Sequence, residues 1–301
     1  MPYNKYVKLF EELKSDMYYD EPLKKHTSLR IGGPADVLII PYNIHELRKI
    51  IKISLENVIK IKVIGNGSNL LVPDDGYKGV VIKIKNGFLN KYYISDKNIE
   101  IGAGVPISYM SKIVARLGLT GLEFGIGIPG VMGGAITMNA GCGGQEISQI
   151  IGQLTILNKN GMIYKIDNDK INFGYRSSRF LNGDEVILKA NINLNKISTV
   201  KIYERMNKLI SKRKKTQPLG FPSAGSTFKK PNNYYAGALI EQAGCKGLAV
   251  GDAKISEKHA NFIINCGNAK CSDVISLMTK VKEKVYNKFN VILEPEIDIL
   301  K

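Results

Sequence analysis

The chain has no tryptophan, three histidines and four cysteines in 301 residues. The histidines are scattered, at His26, His45 and His259. The cysteines, Cys142, Cys245, Cys266 and Cys271, form no C-x-x-C pair, and Cys266 and Cys271 are too far apart for a zinc knuckle. A metal site and a disulfide scaffold are both excluded as expectations, which favours a reduced, cytoplasmic protein. No run approaches ~18 uninterrupted apolar residues, so no membrane insertion is expected. The opening MPYNKYVKLFEELKSDMYYD is charged throughout and does not read as a signal peptide. Acidic residues are scarce beside basic ones, 27 against 43, giving a net charge of +16. This excess favours anionic partners. Lysine is spread along the chain, with one dense run at Lys212-Arg213-Lys214-Lys215. A nucleic-acid surface would cluster its cations and interleave aromatics, so no nucleic acid is expected. What remains is an ordinary globular balance, long enough for one large domain or two to three smaller ones.

Apolar periodicity sets the elements. Tyr6, Phe10, Leu13 and Met17 share a helical face over 3–18. Residues 35–41 read as a strand and 43–57 as a helix with Ile44, Leu47, Ile50, Ile51 and Leu55 inward. Strands follow at 59–65, 79–85 and 99–104. Pro106 opens a helix through Leu117, with Ile107, Met110, Ile113, Val114 and Leu117 aligned on its inner face. Residues 154–158 and 162–166 flank a Lys159-Asn160-Gly161 turn and read as a hairpin. A strand at 185–194 precedes helices at 199–213, 236–244 and 272–289. The last has Ser272 as cap and Val274, Ile275, Leu277, Met278, Val281, Val285 and Phe289 inward. VILEPEIDIL closes as a strand. The class is α+β, with a β-rich, glycine-loop portion to about 197 and an α+β portion after it.

Two glycine loops carry the first functional signal. Gly65-Asn66-Gly67-Ser68-Asn69 follows a strand. Glycine lets backbone approach a phosphate, and Ser68 and Asn69 add donors. A tight turn between strands is the bland alternative. The second loop, Gly121 to Gly144, holds nine glycines in 24 residues, more than one turn requires. Gly125, Gly127 and Gly130 spell G-x-G-x-x-G. However, Pro129 precedes the third glycine, another glycine pair follows and Glu146 is not expected at a strand end, so a Rossmann site is rejected. Two backbone cradles still suit the two phosphates of a dinucleotide.

Polar candidates for chemistry are few. In NFGYRSSRF, Arg176 offers a bidentate fork for a carboxylate. Glu294 and Glu296 lie two apart on an expected strand, hence on one face, where apolar neighbours imply partial burial. PSAGSTFKKP places Ser226 after Gly225 and before Lys229. A serine beside a cation and a developing carbanion can deliver a proton. No G-x-S-x-G elbow is present to make it a hydrolase nucleophile.

Taken in order, LRIGGPAD, GNGSNLLVPDDGY, GIPGVMGGAITMNAG, YRSSRF, PSAGSTFKKP, HANFIIN and LEPEI closely resemble the UDP-N-acetylenolpyruvoylglucosamine reductase (MurB) family of bacterial cell-wall synthesis. The likeness spans about 20–299. It implies a two-subdomain FAD-binding fold of the vanillyl-alcohol-oxidase (PCMH) type followed by an α+β substrate-binding domain. The expected boundaries are an N-terminal helix at 1–20, FAD-binding subdomains at 21–85 and 86–197, and the substrate domain at 198–301. The resemblance implies non-covalent FAD held by Gly65, Asn66, Gly67, Ser68, Asn69, Gly130, Gly133, Gly134, Ala135 and Asn139. It implies NADPH as co-substrate, reduction of the enolpyruvyl ether of a UDP-sugar to the lactyl ether, and a monomer. Arg176 and Glu296 would polarise the substrate carboxylate and Ser226 would give the proton. Tyr175, Lys215 and Lys229 would contact substrate.

Two departures bear on these roles. Thr216 stands where family members often carry lysine before Q-P, which shifts phosphate contact to Lys215 or Lys229. The strand after YRSSRF follows at once, leaving no room for the insertion that supplies a tyrosine lid in one branch. The chain is therefore similar to the shorter, second type. The competing expectation is another FAD oxidoreductase of the same fold. A covalent flavin link would then use His26 or Cys142.

Overall fold

A computed structural model describes residues 6–84, 87–183, 185–231 and 234–300. The chain begins with α1 (Tyr6–Phe10) and β1 (Asp16–Pro22), then β2 (Pro34–Ile40), α2 (Ile44–Glu56), β3 (Ile61–Ile64), β4 (Leu70–Leu71) and β5 (Tyr77–Lys83). A four-stranded sheet has the order β1-β2-β5-β3, with β3 and β5 parallel and Ile61 opposite Val80. Asn43 starts α2, its side chain accepting from Glu46 N–H. Leu47, Ile50 and Ile51 are buried on that helix. Each such side chain contributes about 1.5–3 kcal/mol on burial.

Next come β6 (Tyr92–Ser95), β7 (Asn98–Gly102), α3 (Ile107–Arg116), β8 (Leu119–Thr120), α4 (Met132–Thr137), β9 (Gly141–Cys142), β10 (Gln145–Glu146), β11 (Ile151–Asn158), β12 (Ile163–Asp167), β13 (Glu185–Asn193) and β14 (Asn195–Lys196). The five-stranded antiparallel sheet runs β12-β11-β13-β7-β6. The expected hairpin forms, pairing Leu157 with Ile163. The last part holds α5 (Thr199–Thr216), α6 (Ala236–Gln242), the meander β15 (Ala249–Val250), β16 (Ala253–Ile255) and β17 (Ile263–Asn265), then α7 (Cys271–Phe289) and β18 (Asp298–Ile299).

The chain divides into two compact units, and both are discontinuous, where the sequence reading drew continuous segments. The first takes residues through Asp20, Asp36–Asn66 and Lys78–Lys212. Its core holds Val37, Leu47, Ile50, Val80, Ile82, Met110, Met132, Ile136, Leu154, Ile156 and Ile192. The second takes Glu21–Ala35, Gly67–Tyr77 and Arg213–Lys301. Leu29, Ile31 and Leu71 there join Phe228, Leu239, Val274, Leu277 and Val281 in one core.

Four expectations are corrected. The N-terminal helical stripe breaks after Phe10, and Met17 lies in β1. The buried Glu46 carboxylate takes Lys14 N–H at 2.8 Å and Ser15 Oγ–H at 3.0 Å, drawing the chain away from a helical course. Ser272 is not the cap of α7, because that helix begins a residue earlier. The Asp74 carboxylate accepts Cys271 N–H at 2.6 Å and Ser272 N–H at 3.0 Å instead. Leu55, Leu117 and Ile275 are exposed, each at the margin of its helix stripe. The closing segment is a strand only at Asp298–Ile299, parallel to β4. Glu294 is exposed while Glu296 is half-buried, so the two acids do not share one half-buried face.

Candidate active site

In the first unit the two glycine loops meet. A Cβ added at Gly65 would collide with Val131 Cγ2. Asn66 Nδ2 donates to Pro129 O at 2.9 Å. Gly130 is buried, and its carbonyl accepts Ile107 N–H at 3.2 Å. Met132 and Gly133 then donate their N–H groups to Val105 O and Ala103 O, at 2.8 and 2.9 Å. This pins α4 onto the chain that leaves β7. Ala135 is buried, and its N–H closes the helix onto Val131 O at 2.9 Å.

Packing explains Gly133 but not Gly134. A Cβ at Gly133 would lie 3.0 Å from Ala103 Cβ. A Cβ at Gly134 would meet nothing within 4 Å, on an exposed residue with ordinary helical backbone. Glycine inside a helix costs about 0.5–1 kcal/mol relative to alanine. Neither space nor φ asks for it here. The surface there is open and glycine-lined, with room for a ligand to lie against the backbone.

The Tyr175-Arg176 pair occupies the tip of a turn closed by Gly174 N–H to Ser177 O (3.0 Å) and Ser177 N–H to Gly174 O (3.2 Å). Arg176 adopts φ +52°, a left-handed conformation that a non-glycine residue enters at a cost. Its Nη1 and Nη2 donate to Asn139 O (3.3 Å) and Gly141 O (3.0 Å), and its guanidinium lies 5.2 Å from the Tyr175 ring centroid. Ser178 is the anchor: buried, it donates to Thr137 O at 2.8 Å, tying the turn to the end of α4. Asn139 is buried too. Its Nδ2 donates to Glu146 Oε2 (2.9 Å) and Gly174 O (3.0 Å), and its Oδ1 accepts Ser148 N–H (3.2 Å). This side chain is engaged with protein, and its backbone carbonyl orients Arg176.

The second unit holds the other candidates. Gly67 adopts φ +59°, with its carbonyl accepting Ser28 N–H at 3.0 Å. Ser68 is half-buried. Asn69 Nδ2 donates to Glu296 O, and Asn69 O accepts Asp298 N–H, both at 2.9 Å. Ser226 and Glu296 come together through the residue between: Glu296 N–H donates to Thr227 O at 2.8 Å. One step on, Lys229 N–H donates to Glu294 O at 2.8 Å, and Lys229 Nζ lies 3.7 Å from Glu294 Oε2. Lys215 is exposed in the last turn of α5. His26 Nε2 lies 2.9 Å from Glu21 Oε1.

Several structural contributors carried no signal in composition or spacing. Asn261, inside HANFIIN, brackets Thr227 and Phe228 with three hydrogen bonds. Glu123, buried in the second glycine loop, accepts Thr120 Oγ1–H (2.6 Å) and Gly121 N–H (2.7 Å), with Arg205 Nη1 at 3.3 Å. Burial raises its carboxyl pKa, but these donors more than offset that and hold it below the usual glutamate value. Burial also pushes the Cys271 thiol up to about 11, with Asp74 and Asp75 adding to the rise. That thiol is inert at neutral pH. Among the described residues no cluster of three metal-ligating side chains exists, and no helix is long and apolar enough to cross a membrane.

Residues 35–167 match the FAD binding domain model, and 217–300 match the model for the C-terminal domain of UDP-N-acetylenolpyruvoylglucosamine reductase. The reductase of Clostridium tetani is 44% identical over 293 residues, covering 97% of this chain and 95% of that protein. The chain belongs to the UDP-N-acetylenolpyruvoylglucosamine reductase family. A reductase of Caldanaerobacter subterraneus is also 44% identical, over 97% of each chain. The crystal structure of MurB from Thermus caldophilus is 33% identical with a TM-score of 0.80, covering 96% of this chain and all of that one. Membership in the MurB family settles the class of the glycine loops: they belong to a flavin-binding fold, as expected from the sequence.

Proposed function

We propose that Arg176, Ser226 and Glu296 carry the reduction that defines the MurB family. The chain is a UDP-N-acetylmuramate dehydrogenase of peptidoglycan precursor synthesis, and it uses FAD. NADPH as reductant, a cytoplasmic location and a monomeric state are further parts of the proposal.

The backbone at Gly65-Asn66 and Gly130–Ala135 would hold the FAD pyrophosphate, with the 67–69 backbone and Ser68 contributing to cofactor binding. Bound FAD supplies two-electron hydride chemistry. The protein must then stabilise negative charge on the enolpyruvyl carboxylate and protonate the neighbouring carbon. Arg176 is suited to the first task, because its turn and its two carbonyl partners hold the guanidinium in a fixed orientation. Glu296 assists only as a neutral or hydrogen-bonded acid, since a bare carboxylate repels the charge that develops. Ser226 moves the proton from Oγ to carbon. Tyr175 stacks beside Arg176, and Lys229 and Lys215 offer cations to the substrate's phosphates.

The observation that carries this reading is the 2.8 Å bond from Glu296 N–H to Thr227 O, which sets the proposed acid and proton donor on adjacent backbone. The test is the visible spectrum of purified protein through both half-reactions. Flavin bands should bleach with NADPH and return, under anaerobic conditions, only when the enolpyruvyl substrate is added. Bands that bleach and ignore that substrate would refute the assignment of these three residues to enolpyruvyl reduction.

A further inference from the structure

Ser226 lies on a loop that packing alone would leave adjustable. It follows Gly225, at φ +80°, where an added Cβ would meet nothing within 4 Å. The control comes from the two residues after it. Thr227 N–H donates to Asn261 O at 2.8 Å, and Thr227 O accepts Glu296 N–H at 2.8 Å. Phe228 N–H donates to Asn261 Oδ1 at 3.0 Å, and Asn261 Nδ2 donates back to Phe228 O at 2.8 Å. Thr227 Oγ1 accepts Ile263 N–H at 3.3 Å. Asn261, Thr227 and Phe228 are all buried, at 7%, 4% and 1% exposure. In so dry a place a lost hydrogen bond strands a polar group, which gives each bond unusual leverage over backbone position. A primary amide carries the acceptor that Phe228 N–H needs and the donor that Phe228 O needs, on two separate atoms.

We infer that Asn261 is a positioning residue for Ser226, fixing the backbone of Thr227–Phe228 so that the serine hydroxyl stays in register with Glu296. The inference rests on the reading of Ser226 as proton donor. Asn261 bonds to Thr227 and Phe228, the two residues that follow the proposed proton donor. Its loss is therefore expected to fall on protonation, with flavin binding and reduction little changed.

A double-mutant cycle on the holoenzyme tests this, with flavin content, the rate of reduction by NADPH and the rate of reoxidation by the enolpyruvyl substrate as readouts. Asn261→Ala should slow reoxidation by roughly 10- to 100-fold, the range expected for sub-ångström misplacement of a catalytic group. Flavin content and reduction should stay within about twofold of wild type. In a Ser226→Ala background the same substitution should cost less than about threefold, because the group it positions is gone. Should Asn261→Ala fail to fold, Asn261→Ser completes the cycle. Its hydroxyl keeps a polar group in the site but is too short to hold both Phe228 groups as the amide does, so a non-additive loss is still expected.

The outcomes separate the inference from its premise. A slow Ser226→Ala enzyme combined with wild-type reoxidation in the Asn261 variants overturns the positioning role alone. Losses that multiply in the double variant overturn it too. Fast reoxidation by Ser226→Ala overturns the proton-donor reading and the inference with it.

Discussion

Gly134 offers the sharpest test of the flavin cradle, because protein and cofactor make opposite demands there. The protein has room: an alanine Cβ would meet nothing within 4 Å, on an exposed helical residue. Gly134→Ala should therefore stabilise the fold by about 0.5–1 kcal/mol through helix propensity. At roughly 2–4 °C per kcal/mol for a domain of this size, that is a rise of about 1–4 °C in Tm of the flavin-free protein. In the proposed cradle the cofactor would have no such room. A methyl group forced into a close-packed contact costs about 1–3 kcal/mol, which would weaken FAD binding by roughly 5- to 150-fold. Gly134→Val should bind more weakly still. The assay is flavin titration into flavin-free protein, followed by fluorescence, with thermal melts of the same samples. Gly133→Ala is the internal contrast, since its Cβ would press on Ala103 and should lower Tm. An unchanged FAD affinity in Gly134→Ala would refute the cradle. A lowered Tm in that variant would refute the packing described here.

Other expectations follow from single contacts. Arg176→Lys keeps the charge but loses the fork and its two carbonyl partners, so substrate-driven reoxidation should fall by about 10²-fold while reduction by NADPH persists; stopped-flow absorbance checks this. Glu123→Ala removes a buried carboxylate from the half-buried Gly121 N–H and Thr120 hydroxyl and should cost about 1–3 kcal/mol, read as a lowered urea midpoint. Asp74→Asn weakens the start of α7 and should cost about 0.5–1 kcal/mol by the same measurement, small because Asp74 is exposed. Burial raises the Asp74 carboxyl, but the Ser272 and Cys271 donors outweigh it and leave the pKa below 3.8. With the folded value depressed, the stabilisation is complete above the ordinary aspartate range and fades as pH falls through the folded value. The difference between wild type and Asp74→Asn should accordingly shrink below about pH 4.

Local pattern made much of this molecule legible. The hairpin of β11 and β12, the α2 and α7 stripes and the strand before Gly65 all follow from apolar spacing. The density of glycine marked the proposed cradle, and Gly65 and Asn66 do meet Val131 and Pro129. What pattern cannot show is a partner far along the chain. Glu46 ends the first helix from 32 residues away, and Asp74 starts α7 from 197 away. The final strand is short because Glu294–Ile297 bonds to the Ser226–Lys229 loop instead of joining a longer ladder. Asn261 reads in sequence as one more polar residue in an apolar run. Its meaning depends on Thr227 and Phe228 lying beside it.

The discontinuity of the second unit bears on how a ribosome can deliver this protein. Leu29, Ile31 and Leu71 belong to a core whose other members begin at Ala224. Residues 78–212, which separate the two contributions, belong to the first unit. At ~5–20 residues per second their synthesis occupies on the order of ten seconds. Throughout that interval Glu21–Ala35 and Gly67–Tyr77 wait with apolar side chains and no core to enter. A nascent chain stalled near residue 212 would be the species most in need of a chaperone, and a fragment beginning at residue 213 would lack part of its own interior.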